Sequence, residues 1–321
     1  MSASPTTHRM VGDVGGTNTR LALFAEDPGE LLAVASYNNR DFRGLADVIA
    51  TWLEALDAPR PTAGCLAIAA PPFGDTVSML NIDWSFSLSD LASKFGFRQL
   101  RGINDFEGIA YSLPYLGPQE AQVLRASGEA PAGKLATVGP GTGLGGATLA
   151  LYGDTPVANA SEPGHMGLAP ATLLELELFR ALLPEFGEVY AELLLSGPGL
   201  QRLHHCLGEV LGEPAPVLSP GEISALGVRG ESALCTQTLE LFCGLLGSVC
   251  GDYVLATGSY GGLYLAGGIV PRMVDFVGNS SFAARFDAKG QMAGYLGRVP
   301  LFAITHGNPG LLGAAHAPLW P

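Results

Sequence analysis

Two glycine-rich turns constrain this chain more than any other feature. VGDVGGTNTR occupies residues 11–20 and GPGTGLGG residues 139–146. Residues 20–24 read as a short strand after the first turn, because Glu26-Asp27-Pro28-Gly29 ends it. KLATVG reads as a strand running into the second turn. Two such hairpins far apart in sequence predict an internal duplication: two similar α/β halves, each offering one turn to a shared cleft.

The stretches between support that class. Leu45, Val48, Ile49, Trp52, Leu53 and Leu56 follow helical spacing over 44–56. AGCLAIAAPP reads as a strand ended by Pro71 and Pro72, and LSDLASKFG as a helix with Ser87 and Asp90 as a capping box. RQLRGIND is a strand that runs into the helix FEGIAYSLPYL. A Gly/Ala/Pro-rich stretch at 127–133 interrupts the alternation. Thr172 with Glu175 boxes a helix over 173–183, and Ser219-Pro220-Gly221-Glu222 opens another. A long apolar helix over 232–255 leads to the strand GLYLAGGIV, and PLFAITHGNPGLLGAAHA closes with a strand, a turn and a short helix. Strands alternating with helices indicate an α/β protein.

Composition narrows the partners. Of 321 residues, 47% are apolar and 15% charged, with a net charge of −13. Without a cluster of Lys and Arg, no nucleic-acid surface is expected. The five cysteines form no C-x-x-C pair and no Cys/His metal spacing, so they read as buried thiols of a cytoplasmic protein. MSASPTTHRM lacks the layout of a signal peptide. Residues 241–270 carry one charge, Asp252, but Gly258-Ser259-Tyr260-Gly261-Gly262 breaks them into two parts, each expected to fall short of a membrane span.

The chemistry rests on a few residues. VGDVGGTNTR has no Lys, so it is not a P-loop, and its glycines are wrongly spaced for a dinucleotide fingerprint. Backbone N–H groups of a Gly turn can still wrap phosphate, and Asp13 within it would repel phosphate unless a cation such as Mg²⁺ lay between. The competing reading is a tight hairpin needing Gly for positive φ. GPGTGLGG repeats this logic, with Thr142 as hydroxyl donor. In LAGGIVPRM, Gly267 and Gly268 at a strand end either admit a flat ring or simply pack. Asn104 and Asp105 fall where a strand meets a helix, as an N-cap or as a general base at a strand's C-terminal edge. Pro163-Gly164 makes a helix improbable at SEPGHMG, leaving Glu162 and His165 on a loop that binds a small polar ligand or none. Glu192 precedes another Gly-Pro-Gly turn, as a ligand or as a solvated helix residue. Several acids, an Asn and a His with little positive charge suit a neutral polyol such as a sugar.

These stretches, with LSGPGL, FCGLLG, AGGIVPR and NPGLLGA, run in order from residue 11 to 314. Together they resemble the bacterial glucokinases, the non-ROK type within the hexokinase–actin–chaperone ATPase superfamily. The resemblance implies a two-domain, actin-like ATPase (ribonuclease H-like) α/β fold. A small α/β domain (1–115 plus 306–321) and a larger α+β domain (116–305) would flank a cleft. It also implies phosphorylation of D-glucose at its 6-hydroxyl by ATP, with Mg²⁺. On that reading Gly12, Asp13, Val14, Gly15, Gly16, Thr17 and Asn18 form the first phosphate motif, with Asp13 near Mg²⁺ through water. Gly141, Thr142 and Gly143 form the second, and Gly267 and Gly268 the adenosine motif. Asp105 falls on the catalytic base, and Asn104, Glu162, His165 and Glu192 on the sugar ligands. The family's E-G-G-H reads E-P-G-H here, with Pro163 in place of the first glycine. The family also implies a homodimer. A kinase for another hexose, such as mannose or fructose, shares every motif. A sugar-responsive repressor would need a helix-turn-helix ahead of the first turn, where eleven residues stand. An actin-like filament or chaperone ATPase, or a non-catalytic sugar- or nucleotide-binding protein, would keep the Gly turns without sugar turnover.

Overall fold

In the computed structural model, the structure describes residues 8–27, 29–70, 74–127 and 133–319. Pro28, Pro71, Pro72 and most of the 127–133 stretch, read above as strand ends and a break, lie outside the described residues, as do residues 1–7 of the stretch screened for a signal peptide. The chain divides into two compact units. One holds residues up to Leu116, 151–160 and from His306 on; the other holds 117–150 and 161–305. The sequence reading leaves 151–160 in the larger domain, whereas they group with the first unit.

The first unit is built on a five-stranded sheet. β1 (His8–Val14) and β2 (Asn18–Ala25) form the antiparallel hairpin, which closes where Val14 faces Thr19. β3 (Glu30–Asn38) pairs with β2 as an edge strand that the sequence reading lacks. Its Leu32 and Val34 are exposed, so its apolar residues never showed a one-sided pattern. Helix α1 (Leu45–Glu54) buries Leu45, Val48, Ile49, Trp52 and Leu53, and Trp52 Nε1 donates to the Ala33 carbonyl at 3.0 Å. β4 (Ala63–Ile68) runs parallel to β1. A small hairpin, β5 (Thr76–Ser78) with β6 (Ser85–Ser87), precedes α2 (Leu88–Phe95), whose Asp90 N–H is capped by Ser87 Oγ at 3.0 Å. β7 (Gln99–Asn104) lies parallel to β4 and leads into α3 (Asp105–Ser112). The sheet order is β3-β2-β1-β4-β7.

The second unit repeats the plan. β8 (Ala121–Arg125) precedes the antiparallel hairpin of β9 (Leu135–Pro140) and β10 (Leu144–Tyr152); β11 (Thr155–Ser161) completes this sheet, although all but its last residue group with the first unit. Helices α4 (Leu173–Phe186), α5 (Ala191–Leu194), α6 (Gly197–Leu211), α7 (Pro220–Val228) and α8 (Ala233–Thr257) follow. β12 (Gly262–Leu265) is parallel to β9. After α9 (Val274–Asn279), α10 (Phe282–Asp287) and α11 (Ala293–Leu296), β13 (Leu301–Ile304) is parallel to β12; the chain then closes with α12 (Pro309–His316), which belongs to the first unit. The order β11-β10-β9-β12-β13 copies that of the first sheet, with β8 added at the edge, and this carries the expected duplication.

Three expectations need correction. The Ser87–Asp90 box is half formed: Ser87 Oγ accepts the Asp90 N–H, and the Asp90 carboxylate returns no bond to Ser87. α8 is one helix of 25 residues, long and apolar enough by composition to cross a membrane: the GSYGG break ends it at the left-handed Gly258, but it starts at Ala233, well ahead of residue 241. Two-thirds of its most apolar window is buried in protein, where it packs in the core with Phe282 and Phe286 of α10. The Thr172–Glu175 box is half formed. Thr172 Oγ1 accepts the Glu175 N–H at 3.1 Å, but the Glu175 carboxylate, 1% exposed, turns to the Ala171 N–H and to Arg285. A buried carboxylate needs a paired cation more than a cap. Ser219 and Glu222 do bond reciprocally. The cysteines are free and buried, and burial pushes the Cys65 and Cys243 thiols up to about 12.

His316 ends α12 stacked on Tyr115 (3.5 Å between ring centroids) and edge-on to Phe24. Arg9 donates to the carbonyls of Ala315 and Ala317, satisfying the end of the helix. Burial first, then the Arg9 charge, pushes the His316 imidazole down to about 4 from its ordinary value of 6.5. The unfolded chain therefore binds this proton more readily. The neutral ring's contribution is complete above pH 6.5 and is lost as pH falls toward 4. Unfolding midpoints of the wild type should drop across that window relative to His316→Phe; parallel profiles for the two would contradict the assignment.

Candidate active site

In the first unit, register gathers the candidates. Val14 pairs with Ile68, and Ile68 with Asn104, so β1, β4 and β7 end together. The C-terminal edge of parallel strands is where such sheets place ligands. Gly12 and Val14 lie within β1 and are buried, and a Cβ on Gly12 would strike Leu66 and Leu21. The turn proper is Gly15, Gly16 and Thr17, closed by Gly15 N–H to the Asn18 carbonyl at 3.0 Å. Neither Gly15 nor Gly16 has positive φ, so the hairpin does not require glycine for its backbone angles.

Asp13 is half-buried, with Arg20 Nη1 at 3.4 Å. Burial, the larger effect, raises its carboxyl above the usual value, and Arg20 opposes this. The first turn of α12 also approaches it: a Cβ on Gly310 would lie 3.3 Å from Oδ1. A helix N-terminus favours an anion there.

Asn104 caps α3. Its Oδ1 accepts the Phe106 N–H at 2.9 Å, its Nδ2 donates to the Ala70 carbonyl at 3.1 Å, and Glu107 returns a bond to its N–H. Asp105 opens the helix, with Oδ1 accepting the Phe106 N–H at 3.0 Å.

In the second unit the candidates meet. The turn Gly141–Gly143 closes with Gly141 N–H to the Gly143 carbonyl, and Gly197 at the start of α6 donates to the Gly141 carbonyl at 2.8 Å. Thr142 is exposed. β12 delivers Gly267 against the same strand end. Gly139 has no room for a Cβ beside Ala266, nor has Gly267, at φ +84°, beside Pro140. Gly141 and Gly268 differ: among the described residues, a Cβ there would meet nothing within 4 Å beyond its chain neighbours, and neither has positive φ. Nothing in the protein itself requires glycine at those two positions, which leaves them open to an approaching ligand.

The Glu162 loop sits beside this turn. Pro163, Gly164 and His165 form a single 3₁₀ turn after Glu162. Pro163 is buried, and a Cβ on Gly146 would come within 2.7 Å of its ring, so the proline seats against the hairpin through that glycine. Glu162 and His165 are exposed, His165 stacked on Tyr190. Glu192 on α5 is no solvated helix residue: its Oε2 accepts the Leu144 N–H at 2.8 Å.

Sequence reading missed Asn39. It is fully buried at the end of β3, where its Nδ2 donates to the Gly15 carbonyl at 2.7 Å and its N–H to the Thr17 carbonyl at 2.9 Å. Its Oδ1 accepts from Thr19 Oγ1. This one side chain fixes the first glycine turn, and no local motif announces it. Asn39→Leu keeps the backbone bond to Thr17 but takes the partner from the Gly15 carbonyl and from the buried Thr19 hydroxyl, so urea denaturation should show a loss of about 2–3 kcal/mol.

A family model described as Glucokinase matches residues 10–319. The glucokinase of Saccharophagus degradans is 40% identical over 309 residues, covering 95% of this chain and 96% of its own. The crystal structure of a glucokinase from an Antarctic psychrotroph superposes with a TM-score of 0.87 at 37% identity, covering 96% of this chain and 98% of that one. A ROK family glucokinase from Streptomyces griseus, in complex with glucose and AMPPNP, shares the fold at 18% identity and a TM-score of 0.64, covering 96% and 98%. The fold is thus the actin-like ATPase fold of the sugar kinases, and over residues 10–319 the chain belongs to the glucokinase family.

Proposed function

We propose that this protein transfers the γ-phosphoryl group of ATP to the 6-hydroxyl of D-glucose. The observation that carries the reading is the gathering of Glu162, His165 and Glu192 around a glycine turn whose Gly141 is open to a ligand. Glucokinase relatives at 40% identity supply the substrate class. The glucose and AMPPNP of the Streptomyces griseus structure supply the pair of ligands.

Phosphoryl transfer is catalysed mainly by positioning and electrostatics. Asp105, held by the Phe106 N–H, accepts the proton of the 6-hydroxyl as that oxygen attacks. Asn104, Glu162, His165 and Glu192 orient the sugar. The Gly15 and Gly141 N–H groups close the two turns, and the remaining turn N–H groups of Gly15–Asn18 and Gly141–Gly143 reach the phosphates, while Gly267 and Gly268 admit the adenosine.

Asp13 fits a magnesium ion. Among the described residues no group of three or more His, Cys, Asp or Glu forms an all-protein cage, and Mg²⁺ takes one or two carboxylates while phosphates and water complete its shell. When bound it would neutralise charge on the nucleotide phosphates. The same reading makes the first unit the small domain and the second the large domain of a cytoplasmic homodimer.

ATP consumption by the wild type should require glucose and exceed that with mannose or fructose. Sugar-independent turnover would instead favour an actin-like ATPase. Asp105→Asn should keep glucose affinity while kcat falls by about 10²–10⁴-fold. Near-wild-type turnover would remove Asp105 from the role.

A further inference from the structure

Glu192 touches two loops at once. Its Oε2 accepts the Leu144 N–H, immediately after the second glycine turn. The carboxylate occupies space that two glycines leave. A Cβ on Gly143, in the turn, would overlap Oε2, and a Cβ on Gly164, in the loop of Glu162 and His165, would lie 3.1 Å from it. The helix that carries Glu192 is tied to the same turn a second way. Ser196 Oγ donates to the Glu192 carbonyl at 2.9 Å, and Gly197, the next residue, donates to the Gly141 carbonyl. The other carboxylate oxygen, Oε1, has no hydrogen-bond partner among the described residues.

We propose that Glu192 is a positioning residue for the second phosphate turn as well as a sugar ligand, so that one carboxylate couples the two substrates. The inference rests on the sugar-kinase reading above. Oε2 fixes Leu144 and with it the turn; Oε1 accepts a sugar hydroxyl. Anything that displaces the carboxylate then weakens both partners, although Glu192 lies 48 residues beyond Leu144. A turn that serves nucleotide alone has no such link.

A crowded and an uncrowded glycine of the same unit test this. Steady-state kinetics of the full chain would vary glucose and ATP separately in Gly143→Ala and in Gly294→Ala, whose added methyl meets nothing within 4 Å on α11, with thermal melts to confirm folding. Gly143→Ala should raise the glucose KM by about tenfold, because it dislodges a charged hydrogen-bond acceptor, while Gly294→Ala changes it by less than about twofold. A glucose KM for Gly143→Ala within about twofold of wild type overturns the proposal.

A second pair stands if Gly143→Ala fails to fold. At saturating glucose, Glu192→Ala should raise the ATP KM by about tenfold, and Glu192→Gln, which keeps an acceptor oxygen for Leu144, by less than about twofold. An unchanged ATP KM in Glu192→Ala also overturns it. Glucose-dependent turnover with these KM values unmoved defeats the coupling alone. A wild type without glucose-dependent turnover defeats the underlying reading and the coupling with it.

Discussion

Around the second glycine turn, backbone meets backbone and carboxylate with no space for one more carbon. Gly139 lies against Ala266, Gly267 against Pro140, and Gly143 against Glu192. Interiors are packed at crystal-like density, so a methyl group at such a contact forces the chain apart. The approach of β12 to the turn after β9 and the seat of Glu192 both depend on absent side chains. These glycines are chosen for their lack of bulk, and apart from Gly267 not for unusual backbone angles. That separates them from Gly141 and Gly268, which the protein does not crowd at all.

Much of the fold was legible where pattern is local. Both hairpins, the helices behind Leu45, Ser87 and Ser219, and the long helix of Leu239 and Phe242 stand where apolar periodicity and caps put them. What escaped lacked a one-sided pattern. β3 is an edge strand with exposed Leu32 and Val34; β5, β6 and β8 are only three to five residues long. Glu175 read as a cap because the sequence shows Thr172 three residues away and cannot show Arg285 across the core.

The candidate site divides in the same way. Asp13, Asn104, Asp105, Glu162 and His165 were visible because each sits beside a turn or strand end whose residue types are restrictive. Pro163 stood out as a departure, and its fit against Gly146 gives the departure a place in the packing. Asn39 and the Leu144 amide were invisible. Asn39 acts on carbonyls more than twenty residues away, and Leu144 acts through a backbone group that every residue carries.

The first unit is assembled from distant parts of the chain. Arg9 caps the carbonyls of Ala315 and Ala317, and Gly310 lies against Asp13. During synthesis, residues 117–305 leave the ribosome before α12 does. Contacts this far apart in sequence form slowly, and domains generally fold as they emerge. The second unit can therefore complete its core on a nascent chain, while the strand carrying Asp13 waits for its last supporting helix. A chain stalled short of α12 would hold a finished second unit while Asp13 lacked the helix turn that packs against it.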